Sequence, residues 1–330
     1  MNRIQRYIQT YHRKYNWSNM GSRSAWIAKL KCLASRLRDG STTEEYVAME
    51  LYKKTQKEKD SYICMRLSTK INNKMMQNVE LSERRSIGNK LRFDEVYSKA
   101  GFVKRDFIGT LKSSEEEIQA FIEKHGKVIV KPMYLSGGSG IRKICREDLT
   151  PDVLKELSEN DYVMEELIVQ HHAIAEVNPS SVNTVRIVTV LDKDRVPRVL
   201  GAALRCGGPG SVADNLHSGG VAYPIDLETG KIFSLGRDNE SEKSYDTHPS
   251  SGKYMIGMEI PHWDLLVREV CEAAKMSKNI IYLGWDIAIT ETGVDFIEAN
   301  FGHGVDTIQY DNVGKKPLLL HYLEGTHCAV

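Results

Sequence analysis

A lysine followed by a glycine-rich run is the first feature of this sequence that could take part in chemistry. In VIVKPMYLSGGSGIRKI, Lys131 closes an apolar stretch, and the loop that follows contains Ser136, Gly137, Gly138, Ser139 and Gly140. Glycines let backbone N–H groups turn toward an anion, and a lysine supplies a positive charge for phosphate oxygens. The segment therefore indicates a phosphate site, although an ordinary β-hairpin with a glycine-rich tip fits the same letters. It is not a Walker A loop, because no Gly-Lys-Ser/Thr run follows.

Three oxygen-bearing side chains near the end of the chain are typical magnesium ligands. Asp286 lies in one strand-like run, and Glu298 and Asn300 lie in the next. Residues two apart on a strand share a face, so Glu298 and Asn300 point the same way, and a hairpin can bring Asp286 beside them. Carboxylate and amide oxygens suit Mg²⁺, although a polar sheet face without metal shows the same pattern. Asp295 lies three residues before Glu298, so alternation along a strand places it on the opposite face, and we expect it to face solvent.

A third candidate region combines the loop DNLHSGG (214–220) with two arginines in apolar strands. Asn215 and His217 lie in this loop, which suits either phosphate and substrate contacts or a purely structural turn. Arg186 and Arg205 each interrupt an apolar run, where a cation is usually paired or directed at an anion. We therefore expect each arginine either to be paired with an acid of the protein or to be directed at a bound anion.

The elements that must position these residues change character at about residue 90. Residues 1–88 contain no proline and carry apolar residues at helical spacing, such as Trp26, Leu30, Leu33 and Leu37. Beyond them, amphipathic spacing predicts helices over 115–125 and 262–279. Apolar and alternating runs predict strands over 128–133, 162–169, 185–192, 198–206, 284–290 and 293–300. The pattern predicts an α+β fold preceded by a mainly helical region.

The charge distribution separates the same two parts of the chain. The 330 residues carry 45 Lys+Arg and 44 Asp+Glu, a net charge of +1. Residues 1–110 hold 23 basic and 11 acidic side chains, whereas residues 111–330 hold 22 basic and 33 acidic ones. The basic part is either a helical domain docked on the acidic body or a platform for anionic lipid headgroups or a polyanionic sugar. Nucleic acid is disfavoured, because no recognisable binding motif accompanies the charge.

Composition excludes several classes of protein. Hydrophobic residues make up 41% and charged residues 27%, which argues against global disorder. No apolar run approaches the roughly 20 residues that span a bilayer, and the first residues do not resemble a secretory signal. The six cysteines are scattered without a CxxC pair, which disfavours a zinc site or a disulfide framework. We expect a cytoplasmic protein, with peripheral contact to the inner face of the membrane as an alternative.

The order of these motifs is more specific than any one of them, and it resembles the ATP-grasp superfamily of carboxylate–amine ligases. The similarity runs from about Lys90 to Asn300. NTVRIVTV, GAALRC, DNLHSGG and FIEAN resemble the ribosomal-protein glutamate ligases. SVNTVR and DNLHSGG are more similar to the ATP-grasp family associated with sugar transfer. The resemblance implies two α+β subdomains that clasp ATP, with residues 89–170 as the nucleotide-clasping subdomain and 171–330 as the catalytic subdomain.

The resemblance also implies how ATP is held. Lys90 in NKLRFDEVYSKAGF and Lys131 correspond to the two phosphate-binding lysines, and SGGSG corresponds to the flexible loop over the phosphates. YVMEELI corresponds to the adenine hinge, with Glu165 near the adenine amino group. The hinge backbone pairs with the adenine edge through Glu166, Leu167 and Ile168. The usual ribose-binding acid is missing, and the candidate replacements are Gln170 and His172, with Asn215 as a further nucleotide contact.

The remaining implied roles are catalytic. Asp286, Glu298 and Asn300 would hold two Mg²⁺, and Arg205, with Arg186 second, would hold a carboxylate or acyl phosphate. His217 is a candidate catalytic participant. The implied reaction forms an acyl phosphate from ATP and transfers the acyl group to an amine, in cell-surface polysaccharide or sugar-conjugate biosynthesis. The alternatives are a small-molecule or sugar kinase and a nucleotide-binding module without turnover.

Two further departures from the superfamily pattern bear on these implications. A proline common after the metal-binding asparagine is absent from NFGHGVD, and His303 and Asp306 are candidate replacements on the substrate side. The superfamily's usual N-terminal α/β domain is not evident in residues 1–88.

Overall fold

A computed structural model describes residues 15–20, 24–135, 140–208, 210–211, 216, 219–239, 241 and 243–330. The helices of this part of the chain are α1 Ala25–Arg38, α2 Thr43–Ala48, α3 Gln56–Lys59, α4 Met65–Met76, α5 Leu81–Gly88, α6 Lys90–Lys99, α7 Glu115–His125, α8 Pro151–Glu159, α9 His172–Ala175, α10 Trp263–Lys275 and α11 Lys316–Leu323. Its strands are β1 Phe107–Gly109, β2 Lys127–Pro132, β3 Arg142–Cys145, β4 Tyr162–Glu166, β5 Thr184–Leu191, β6 Pro197–Cys206, β7 Val221–Ile225, β8 Gly236–Arg237, β9 Ser244–Tyr245, β10 Tyr282–Thr290 and β11 Gly293–Asn300. Short 3₁₀ helices span Trp17–Asn19, Leu51–Lys53, Thr110–Lys112, Arg146–Asp148 and Thr307–Gln309.

The smaller sheet is antiparallel, with strand order β1-β4-β2-β3. Alternation along β2 sends Val128 and Val130 into an apolar cluster under α7 and α8. Lys131 therefore emerges on the opposite face. The predicted strand 162–169 ends earlier, at Glu166, which pairs with Val128, one residue from the start of β2 at Lys127.

The larger sheet is also antiparallel, with strand order β11-β10-β5-β6-β7-β8-β9. Its core-facing side packs against α10, which buries Leu266, Val270 and Ala273. The strands predicted over 185–192, 198–206, 284–290 and 293–300 are confirmed within two residues. Two antiparallel sheets with helices on their faces confirm the predicted α+β fold.

The described residues before α6 are helical, as predicted, and they pack onto the larger sheet. Tyr46 and Leu51 are fully buried in a cluster that includes Ala203 of β6 and Ala222 of β7. One buried ion pair crosses this contact, 2.6 Å from Arg237 to Glu50. The acid of this pair belongs to the helical part and the arginine belongs to the larger sheet. This pair is therefore the reverse of the expected docking of a basic helical face on an acidic body. None of the described helices is long and apolar enough to span a bilayer.

The buried carboxylate of Glu45 joins two of these helices and leads to a stability prediction. Its Oε2 accepts from the N–H of Thr42, 2.8 Å, at the start of α2, and from the N–H of Met65, 3.1 Å, in α4. Burial raises the pKa of Glu45 from 4.5 to about 7, because the two N–H donors only partly offset the lost hydration. The folded state therefore holds this proton more tightly than the unfolded chain does. Its contribution to stability is lost as the pH rises from about 4.5 to about 7.

Changing Glu45 to glutamine keeps an acceptor oxygen and removes the buried charge. Above pH 7, we expect the free energy of unfolding of Glu45→Gln to be at least that of the unmodified protein, and to exceed it by up to about 1 kcal/mol. Glu45→Ala leaves two N–H donors without a partner and should lower it by about 1–3 kcal/mol. Urea unfolding at pH values on either side of 7 measures both effects. A glutamine variant as unstable as the alanine variant would contradict this account.

Candidate active site

Four strands of the larger sheet present polar side chains to one face. Asp286 on β10 pairs directly with Arg186 on β5 and with Glu298 on β11. Asn300 lies two residues beyond Glu298, and Arg205 on β6 lies two residues from the strand partner of Arg186. Side chains two apart share a face, so the sheet brings these five polar groups together.

Asp286 is held by two arginines. Arg186 donates from Nε to Oδ1, 2.6 Å, and from Nη2 to Oδ2, 2.9 Å, and Arg205 Nη1 donates to Oδ1, 3.0 Å. Burial alone would raise the pKa of Asp286, but the two guanidinium groups hold it well below its usual range. Asp286 is therefore ionised, and both arginines are paired with it; their contact with a substrate anion stays a prediction.

Glu298 is less well compensated than Asp286, because the Asn300 hydrogen bond and the Arg186 charge do not outweigh the cost of its burial. It accepts a hydrogen bond from Asn300 Nδ2 at 2.9 Å. Burial and the neighbouring Asp286 charge raise its pKa. Two adjacent carboxylates and an amide oxygen are a hard-oxygen donor set, and a divalent cation would relieve the repulsion between the acids. The donor set fits Mg²⁺; which residues ligate it remains a prediction.

The smaller sheet contributes Lys131 and Glu165 on the face opposite α7 and α8. Lys131 Nζ lies 2.7 Å from Glu165 Oε2, and Arg105 Nε lies 2.7 Å from the same oxygen. Burial opposes ionisation of Glu165, but the two cations lower its pKa to about 2. Glu165 is thus a fixed anion that positions Lys131, and its predicted contact with adenine stays a prediction.

Lys90 stands at the start of α6 and contacts the base of the glycine-rich loop. Its Nζ donates to the carbonyl oxygens of Pro132, 3.1 Å, and Met133, 3.3 Å, and to that of Leu135. Burial lowers the pKa of Lys90, and the Glu298 carboxylate is the largest charge that opposes this shift. The Lys90 ammonium on α6 therefore interacts electrostatically with the Glu298 carboxylate of the larger sheet. Six predicted site residues lie outside the described residues, namely Ser136, Gly137, Gly138, Ser139, Asn215 and His217.

Arg105 is a central residue that the sequence did not indicate. It is 5% exposed and binds Asp94 at 2.8 Å, Glu165 at 2.7 Å and Asp295 at 2.9 Å. These acids lie 11, 60 and 190 residues away along the chain. No local periodicity could have connected them.

Asp295 was expected to face solvent, and that prediction is wrong. Its side chain is buried against Arg105. A β-bulge is the reason: Asp286 pairs with Glu298, but Ile287 pairs with Phe296, so one residue of β11 has no partner. The extra residue reverses the parity between Glu298 and Asp295, which places both acids on the same face.

The candidate replacements on the substrate side have structural partners. His303 is buried, and its Nδ1 lies 3.0 Å from the carbonyl oxygen of Asn300, to which it must donate. Burial lowers the pKa of His303 to about 3, so the ring is neutral and supports the backbone of Asn300. Asp306 accepts from the Tyr310 hydroxyl at 2.7 Å.

The candidate ribose contacts also have partners elsewhere. Gln170 Nε2 donates to the carbonyl oxygen of Ser181, 2.6 Å, and Gln170 Oε1 accepts from the N–H of Asn183, 2.7 Å. His172 Nδ1 lies 3.0 Å from Glu291. Leu167 and Ile168 follow β4 and are half-buried. Their contacts with a nucleotide stay predictions.

Solved structures that are similar to this chain include an ATP-grasp ligase, a macrocyclase and a synthetase. The ATP-grasp ligase PsnB with its minimal precursor is 19% identical, with 72% of this chain and 60% of that chain covered and a TM-score of 0.45. PsnB has also been solved with the precursor, Mg and ADP. The macrocyclase MdnC with precursor peptide MdnA, from Microcystis aeruginosa MRC, is 13% identical over 70% of this chain and 57% of that chain, with a TM-score of 0.42. D-alanyl-alanine synthetase A from Vibrio cholerae is 12% identical over 74% and 63%, with a TM-score of 0.43. The chain thus covers less than two thirds of each of these proteins.

Sequence comparison identifies the family. No curated protein sequence matches the chain. The sequence profile described as sugar-transfer associated ATP-grasp matches residues 66–319, which include both sheets and every described polar group of the site. The resemblance inferred from the motifs is thereby confirmed, and proteins of the ATP-grasp type are generally ATP-dependent carboxylate–amine ligases. The chain belongs to the sugar-transfer associated ATP-grasp family.

Proposed function

We propose that this protein is an ADP-forming ligase that activates a carboxylate as an acyl phosphate and transfers it to an amine. The observation that carries the proposal is the pairing of Asp286 with Glu298 on a face that also holds Arg186 and Arg205. The Lys90 ammonium interacts electrostatically with the Glu298 carboxylate. Anionic groups that could hold Mg²⁺ and cations that could hold phosphate are therefore close together.

The first step is phosphoryl transfer. A carboxylate oxygen of the substrate attacks the γ-phosphorus of ATP, ADP leaves, and an acyl phosphate forms. Such a reaction asks the protein mainly to align the reactants and to neutralise charge on the phosphoryl oxygens. Lys131, held in place by Glu165, and Lys90 supply positive charge for the phosphates. Bound Mg²⁺ would supply further neutralisation, with Asp286, Glu298 and Asn300 as its ligands.

The second step is acyl transfer. The amine attacks the acyl carbon, phosphate leaves, and the amine loses a proton. Arg205, with Arg186 second, is the group we assign to the carboxylate and acyl-phosphate oxygens, because a guanidinium forms charge-assisted hydrogen bonds with such oxygens. His217 is retained as a candidate participant in proton transfer.

In this proposal each part of the chain has a separate role. Residues 89–170 form the nucleotide-clasping subdomain, residues 171–330 form the catalytic subdomain, and residues 1–88 are the helical basic region. The family's association with sugar transfer supports substrates from cell-surface polysaccharide or sugar-conjugate biosynthesis in the cytoplasm. Small-molecule carboxylates and amines, sugar-linked in some cases, are the substrates that this chemistry requires.

Hydroxylamine trapping tests the reaction class. The purified protein is incubated with ATP, Mg²⁺, hydroxylamine and a panel of carboxylates, including amino acids and hexuronic acids. Formation of ADP together with a hydroxamate is the expected result, because hydroxylamine captures an acyl phosphate. A phosphorylated product without hydroxamate would establish a kinase instead. Nucleotide binding with no ADP across the whole panel would favour a binding module without turnover.

A further inference from the structure

Helix α1 presents an apolar stripe to solvent. Trp26, Leu30, Leu33 and Leu37 are spaced by four, three and four residues, which aligns them along one helix face. Their exposed fractions are 68%, 45%, 52% and 70%. The predicted helix is therefore confirmed, but the stripe that would ordinarily pack against a core lies on the outside.

The rest of the protein holds this orientation in place. Ala28, Cys32 and Ser35 lie on the opposite side of the helix and are buried. Arg66 donates to the carbonyl oxygens of the last three residues of α1, at distances of 2.7 to 3.2 Å. The helix cannot turn its stripe inward without breaking these contacts.

Cations lie along both edges of the stripe. At 3.6 residues per turn, Lys29 and Arg36 fall on one side of it, and Lys31 and Arg38 fall on the other. No acidic residue occurs between Ala25 and Arg38. Large apolar side chains flanked by lysine and arginine are typical of helices that lie in the interface of an anionic membrane.

We propose that α1 binds flat on a membrane that contains anionic phospholipids. The stripe enters the headgroup region, and the four cations at its edges contact lipid phosphates, where long basic side chains can reach the interface. The helix has 14 residues and would lie in the plane of the membrane without spanning it. A second copy of the chain fits this surface less well, because the cations at both edges would face one another across the contact.

Vesicle flotation with the full chain tests this proposal. We expect binding to vesicles of phosphatidylcholine with phosphatidylglycerol, and little binding to phosphatidylcholine alone. Lys29→Gln with Lys31→Gln should weaken binding about fivefold for each charge removed. Lys155→Gln with Lys275→Gln is the matched control, since these exposed lysines lie on α8 and α10, and it should bind normally. Leu33→Ser with Leu37→Ser should weaken binding about tenfold or more.

Tryptophan fluorescence identifies the contact surface. Trp26 is exposed, whereas Trp17, Trp263 and Trp285 are 4%, 7% and 0% exposed. Anionic vesicles should therefore shift the emission to shorter wavelength in the unmodified protein but not in Trp26→Phe. Equal binding to neutral vesicles, or normal binding by the Leu33→Ser, Leu37→Ser variant, would overturn the proposal. The proposal would also be overturned if the unmodified protein were a dimer, the Leu33→Ser, Leu37→Ser variant were a monomer, and neither protein bound vesicles.

Discussion

Changing Glu298 to glutamine is expected to abolish ATP turnover while leaving the protein at least as stable as before. The glutamine keeps the size of the side chain but removes one of the two carboxylates proposed to hold Mg²⁺. The loss of activity should be about three orders of magnitude, equivalent to about 4 kcal/mol in the barrier. Stability should not fall, because burial and the Asp286 charge already raise the pKa of Glu298 and so disfavour its ionised form. Active sites commonly hold charges that the reaction requires but that lower the stability of the fold, so removing such a charge costs activity without costing stability.

Lys131→Ala tests the phosphate side of the same proposal. Arg105 still binds Glu165 in this variant, so the fold should survive while ATP turnover is lost. The matched controls are Lys155→Ala and Glu272→Gln, which make the same charge changes at exposed positions on α8 and α10. ADP release and urea unfolding are measured for all four variants. Normal ADP production by Glu298→Gln or by Lys131→Ala would remove that residue from the proposed machinery.

Changing Arg105 to methionine should cause the largest loss of stability. The change leaves Asp94, Glu165 and Asp295 buried together without their shared cation. Removing one partner from a buried ion network typically costs about 3–5 kcal/mol, a large part of the stability of an ordinary domain. Burial already raises the pKa of Asp94 to about 7. The other acids should follow when Arg105 is absent, so the variant should become relatively more stable in mild acid.

Compensating changes distinguish this explanation from a simple loss of packing. Asp94→Asn and Asp295→Asn, introduced with Arg105→Met, remove two of the unpaired charges and should recover a substantial part of the lost stability. Urea unfolding at neutral and mildly acidic pH measures each variant. A loss below about 1 kcal/mol in Arg105→Met, or no recovery in the triple variant, would contradict a structural role for the network.

Arg105 also links the two halves of the candidate site. Glu165, which positions Lys131, and Asp295, which lies on the same hairpin as Glu298, share this one guanidinium. The proposed phosphate side and the proposed metal side are thus connected through the buried charge of Arg105. In our proposal this connection keeps Lys131 at a constant distance from the carboxylate pair.

The sequence alone was sufficient for the long strands of the larger sheet, for helix 115–125 and for the family. Local signals identified helix 115–125, whose Ser114 cap and Glu117 form a reciprocal pair of hydrogen bonds. An apolar run placed Lys131 at the end of a buried strand, and the spacing of Glu298 and Asn300 placed both on one face. These predictions succeed because they depend on neighbours within a few residues along the chain.

Only the tertiary structure decided which groups meet. The β-bulge in β11 reversed the parity of Asp295, and no residue type near it signals that irregularity. Arg105 binds acids from distant segments of the chain. His303 is neutral because it is buried, and it supports the backbone of Asn300 through a hydrogen bond. Helix α1 was evident from its spacing, but whether its apolar stripe faced inward depended on the surface that the rest of the chain offered. Strand register, long-range ion pairs and burial are properties of the folded chain, because they depend on contacts between residues that are far apart in the sequence.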